Sequence, residues 1–76
     1  MKEMVEYIAR SLVDKPEEVE VIETENERLV VLEIRVAPED MGKVIGKQGK
    51  IAKSIRTVTK AAAAKIGKKV AVEIMR

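Results

Sequence analysis

The chain has 76 residues, 46% hydrophobic and 37% charged, which is enough for one small domain with one core and is the balance of a folded chain. It has no cysteine and no histidine, and its only aromatic residue is Tyr7; this excludes disulfides and thiolate chemistry, removes the commonest metal ligand and general base, and excludes modules that stack bases on exposed rings. The net charge of +2 hides a split: residues 1–40 carry five basic and twelve acidic side chains, net −7, whereas residues 41–76 carry ten basic side chains and the single acid Glu73, net +9. Such a division suggests one face built for a polyanion, unless the halves simply pair their charges across the surface.

In chain order, Met1, Met4, Val5, Ile8 and Leu12 recur at spacings of three and four, which predicts one apolar stripe on a helix over 2–13. Its start, Met1-Lys2-Glu3-Met4-Val5-Glu6, puts acids where an export signal has basic and then apolar residues. No apolar run approaches the roughly 20 residues of a membrane span. A cytoplasmic protein without a membrane segment is expected. Lys15-Pro16 stops the helix. Val19, Val21 and Ile22 fall in an acidic, β-branched segment, a strand over about 18–24, and Thr24-Glu25-Asn26-Glu27 is a hairpin loop. In the strand 28–36, Val30, Leu32, Ile34 and Val36 share one face and Glu33 and Arg35 the other. Its apolar density makes it the central strand.

Pro38 opens a short helix, with Glu39 and Asp40 at the positive end of its dipole, and Gly46 ends it. After Gly46-Lys47-Gln48-Gly49 a second helix begins near Lys50. At 100° per residue, Ile51, Ile55, Val58, Ala62 and Ile66 form its apolar side, with Lys53, Thr57, Lys60 and Ala64 roughly opposite. Gly67 is its stop. Val70, Val72 and Ile74 alternate in a last strand. The order is α-β-β-α-α-β, an α+β chain. The hairpin pairs strands one and two antiparallel, and the two-helix crossover makes strands two and three parallel. The helices then cover one face of a three-stranded mixed sheet.

The chemistry sits at Gly46-Lys47-Gln48-Gly49. Glycine admits positive φ and close approach of another backbone. The free N–H groups and the dipole of the following helix favour an anion there. Lys47 and Gln48 project from the tip as donors to phosphate oxygens, and Lys43 and Lys50 flank it. Such a phosphate clamp reads no base identity and serves single-stranded DNA as well as RNA. The bland alternative is a tight turn between helices with solvated lysines. A nucleotide-binding P-loop is rejected: Gly42-Lys43-Val44-Ile45-Gly46-Lys47 is one residue too short, and Gln48 stands where Ser or Thr would hold magnesium.

The stretch Val44-Ile45-Gly46-Lys47-Gln48-Gly49-Lys50-Ile51 resembles the I-G-x-x-G core of KH domains, and Val36 to Lys43 leading into it is similar too. The element order resembles the type II form of that fold. Over its whole length, residues 1–76, the chain is similar to the small stand-alone bacterial KH proteins of the KhpA type. The resemblance implies binding of single-stranded RNA, about four nucleotides being held between the GxxG loop with its helices and the edge of the sheet. It implies that Gly46, Lys47, Gln48 and Gly49 grip the backbone and that Ile45 is an apolar floor under a base. It implies that Lys43, Lys50 and Lys53 neutralise phosphates and that Arg35 reaches a base edge. A post-transcriptional regulator or RNA chaperone, with no cofactor, no metal and no catalysis, is the expectation.

A competing reading is an assembly module. Ala61 to Ala64 place small side chains all round one helical turn. Only Ala62 is needed towards the core, so Ala61 and Ala64 are left to admit another helix, unless they merely supply helix propensity. The resemblance implies self-association or pairing with a larger KH-containing protein. An enzyme using the acids of residues 14–27 is not supported, because they lack a basic or metal-ligand partner pattern.

Overall fold

The computed structural model describes residues 1–75; Arg76, one of the ten basic residues of the second half, lies outside them. The elements are α1 (Lys2–Leu12), β1 (Glu20–Glu25), β2 (Leu29–Arg35), α2 (Met41–Ile45), α3 (Lys50–Lys65) and β3 (Lys69–Met75). Single 3₁₀ turns at Pro16–Glu18, Pro38–Asp40 and Lys47–Gly49 link them. This is the expected α-β-β-α-α-β order of a type II KH fold.

The sheet order is β1-β2-β3, with β1 antiparallel and β3 parallel to the central β2. Strand β2 is central because its alternation is the cleanest: Val30, Leu32 and Ile34 are fully buried. Val21 opposes Ile34 in the register, and Val70 and Val72 oppose Val30 and Leu32. These side chains share one face, and the core there is completed by Val5 and Ala9 of α1, Val44 of α2 and Ile55 of α3. The other face, with Ile22, Val31, Glu33, Arg35, Ala71 and Glu73, carries no helix.

The hairpin is tighter than expected, since β1 runs to Glu25. The Asn26 side-chain oxygen accepts the N–H groups of Arg28 and Leu29, both at 2.8 Å. That Asx turn closes the loop in three residues.

The phase of α3 corrects the expectation. Ala52, Ile55, Thr59 and Ala63 are its buried residues, while Val58 is 43% and Ile66 55% exposed. The core-facing alanine is therefore Ala63, and Ala62 is half-buried. A threonine can stand inside because its hydroxyl donates back to its own helix, with the Ile55 and Arg56 carbonyls at 2.9 and 3.0 Å. Small residues at 52 and 63 let the helix lie close to the sheet. The helix stops at Gly67 as expected, the Lys68 N–H reaching back to the Ala63 carbonyl at 2.9 Å.

Candidate nucleic-acid interface

Helix α2 ends where Gly46 takes φ 79°, ψ 170°. A side chain there is ruled out by close approach as well as by conformation: a Cβ would meet three Ile51 atoms at 2.6–2.9 Å. The missing Cβ lets the end of α2 sit directly on the first turn of α3. Gln48 (φ 58°) and Gly49 (φ 74°) are also left-handed, so three of the four loop residues reverse the chain. The loop is pinned by the Gly49 N–H on the Gly46 carbonyl at 3.0 Å. Lys47 and Gln48 are exposed at its tip, beside the positive end of the 16-residue α3. Ile45, 36% exposed, lies just before the turn.

The expected phosphate-binding lysines divide. Lys50 and Lys53 are exposed on α3, with no acidic partner within salt-bridge distance among the described residues. Lys43 is different: its ammonium donates to Asp14 and lies 3.8 Å from Asp40. The hydrogen bond to Asp14, then the charges of both carboxylates, outweigh desolvation and hold its pKa above the ordinary lysine value. Asp40 is only 1% exposed. Its oxygens accept the N–H groups of Asp14 at 3.3 Å and Lys15 at 3.1 Å. Lys43 and Asp40 thus tie the end of α1 to the start of α2. Sequence reading sees Asp40 as a dipole partner because the backbone groups it serves are 25 and 26 residues away.

Arg35 is exposed at the end of β2. It lies on the helix-free face, in register with Glu20 and Met75.

The wall opposite α3 is the free edge of β3. Strand β3 pairs only with β2, and in a parallel strand alternate residues turn both backbone groups to the same side. The Lys69 N–H bonds inward to the Arg28 carbonyl, so Val70, Val72 and Ile74 present theirs outward. Arg56 reaches across to the Val72 carbonyl at 3.4 Å. Between helix and edge lies a groove of about 360 Å³ lined by Arg56, Lys60, Val70, Ala71, Val72 and Glu73. Sequence reading anticipates a sheet edge but not these residues. Arg56 and Lys60 follow Lys53 at three and seven positions, the spacing of one helix face, which is the signal that could have found them. Ala61 and Ala64 are both exposed, as expected.

The chain matches the profile of the KH domain of KhpA and KhpB over residues 2–74. It belongs to the KhpA/KhpB KH-domain family. It is 68% identical over 75 residues to an RNA-binding protein KhpA of Clostridium perfringens, covering 99% of this chain and 100% of the relative. It is 64% identical to the protein of that name from Clostridium acetobutylicum, with the same coverage. It is 51% identical to that of Aquifex aeolicus, covering 99% of this chain and 95% of the relative. No solved structure gives a significant match. No helix among the described residues is long and apolar enough to cross a membrane.

Proposed function

We propose that residues 1–76 act as one KH domain that binds single-stranded RNA in the cytoplasm, as a post-transcriptional regulator or RNA chaperone without a catalytic step. The observation that carries this is the loop Gly46–Gly49, with positive φ at three of its four residues and seated on the N-terminus of α3, the helix that further along forms one wall of a groove with the free edge of β3 opposite. The loop backbone and Lys47 and Gln48 hold a phosphate, Ile45 supports a base, and Lys50, Lys53 and Arg56 neutralise the following backbone. The outward groups of Val70 and Val72 offer hydrogen bonds to base edges. The names of the relatives support the RNA assignment.

The test is fluorescence anisotropy on a short single-stranded RNA, comparing wild type with a Lys47→Asp, Gln48→Asp double variant whose fold is checked by circular dichroism. Lost binding with an intact fold is expected. Equal binding by both proteins removes the loop as the clamp.

A second reading is self-association or pairing with a larger KH-containing protein through the outer face of α3, favoured by the exposure of Ala61 directly opposite the buried stripe. Under it, Ala61→Glu halves the solution mass. A wild-type chain that is monomeric at tens of micromolar, alone and with such a partner, removes it.

A further inference from the structure

We propose that the α3–β3 cleft continues into a second phosphate-binding basin at its far end, which takes nucleotides beyond those held at the loop. This rests on the nucleic-acid reading above.

A cavity of about 430 Å³ lies there, lined by Lys60, Ala64, Lys68, Lys69 and Val70. It shares Lys60 and Val70 with the groove next to it, so the two are one trough. Lys53, Lys60 and Ala64 fall within about 40° of one another around the helix. They make a row along its wall that ends in a methyl group where a long side chain would close the basin. Ala64 lies 14 residues beyond Lys50, about 20 Å at the helical rise. The basin is therefore well separated from the loop that grips the first nucleotides.

The charge there is not explained by the fold. A helix C-terminus carries partial negative charge and repels anions, and one cation in the last turn offsets it. Lys65 already stands in that turn. Lys60 lies more than a turn upstream and Lys69 belongs to β3, so neither serves the helix end. Lys68 is committed to Glu25. Lys60 and Lys69 are exposed and have no acidic partner among the described residues. Two cations without an acidic partner, around a basin continuous with the α3–β3 groove, fit the phosphates of a strand that runs on along the helix whose N-terminus carries the loop.

The test is anisotropy with oligouridylates of four and ten nucleotides at several salt concentrations, on wild type, Lys69→Glu, Ala64→Glu and the loop double variant. A longer strand binds in more registers, but that gain is common to all proteins, so the readout is the ratio of wild-type to variant affinity at each length. For Lys69→Glu and Ala64→Glu the expected ratio is near one on the tetramer and about tenfold on the decamer, with the salt slope on the decamer shallower by about 0.7 for each phosphate no longer neutralised. A ratio that does not grow with length overturns the basin. So does a lowered melting temperature in Lys69→Glu with an unchanged ratio, since the lysine then serves stability alone. The loop variant reports separately: if it keeps full tetramer binding, the reading of the loop fails, whatever the length dependence shows.

Discussion

Gly46 and Ile51 are packed so closely that a Cβ on the glycine would lie 2.6 Å from Cγ1 of the isoleucine. Gly49, three residues on, has a similar positive φ but nothing within 4 Å of its missing Cβ. The two glycines of one motif therefore have different reasons to be glycine. Gly49→Ala should cost about 1 kcal/mol, the penalty of a left-handed conformation alone. Gly46→Ala adds overpacking and should cost about 2–4 kcal/mol. Urea denaturation of the two variants checks the order. Equal losses would mean that the Ile51 side chain relaxes out of the way.

Asp40→Ala should destabilise the chain by about 1–3 kcal/mol, because the N–H groups of Asp14 and Lys15 lose their acceptor in a partly buried site. Asp40→Asn keeps one acceptor oxygen and should recover part of the loss. Thermal unfolding of the pair separates the hydrogen bonds from the packing, since the volumes of Asp and Asn are alike.

Lys43 and Lys50 both flank the loop, but only Lys43 is held by carboxylates. Its charge is already compensated, so Lys43→Gln should change RNA affinity less than Lys50→Gln or Lys53→Gln. Each of the latter should reduce the salt slope by about 0.7. If Lys43→Gln weakens binding as much as the others, the ion pair with Asp14 opens in the complex.

The Lys15–Glu39 pair, at 2.9 Å, makes a two-sided pH prediction. The hydrogen bond from Lys15 lowers the pKa of Glu39 below its ordinary 4.5. That contribution is present above the ordinary carboxylate value and is lost as pH falls through the lowered one. The hydrogen bond to Glu39 raises the pKa of Lys15 above its ordinary 10.5. That contribution is present below the ordinary value and is lost as pH rises through the raised one. The stability difference between wild type and Lys15→Met should be flat through the neutral range and shrink at both extremes. High salt should reduce it throughout, since both groups are exposed.

The helical phase of α3 gives a last contrast. Ala63→Leu should cost about 1–3 kcal/mol by overpacking, whereas Ala61→Leu, on the outer face, should be nearly neutral. Equal effects in chemical denaturation would contradict the observed burial.

Most of this fold is legible in the residues. The alternation from Leu29 to Val36 names the central strand and its buried face. Pro38 and the glycines at 46, 49 and 67 punctuate the second half. The rotation of α3 is not legible, because apolar counting prefers Val58 to Thr59 and cannot know that the Thr59 hydroxyl is satisfied within its own helix. In the candidate site, the loop and its flanking lysines can be read locally. The diversion of Lys43 cannot, because Asp14 is 29 residues away. The place of β3 at an edge follows from the expected strand order, but which of its backbone groups turn outward does not, since that depends on the register with β2.

That open edge has a consequence for solubility. Unpaired strand groups that can accept a base can equally accept the strand of another molecule, and folded proteins must guard against such edge-to-edge growth. Here the guards are Arg56, laid over the Val72 carbonyl, and the neighbouring Lys60 and Lys69, which set like charge against like whenever two such edges meet. The cations proposed to recruit a polyanion are therefore also gatekeepers against aggregation. Neutralising them together, to abolish binding, should leave a chain that clumps on concentration, and the same chain in strong salt should begin to behave that way with no substitution at all.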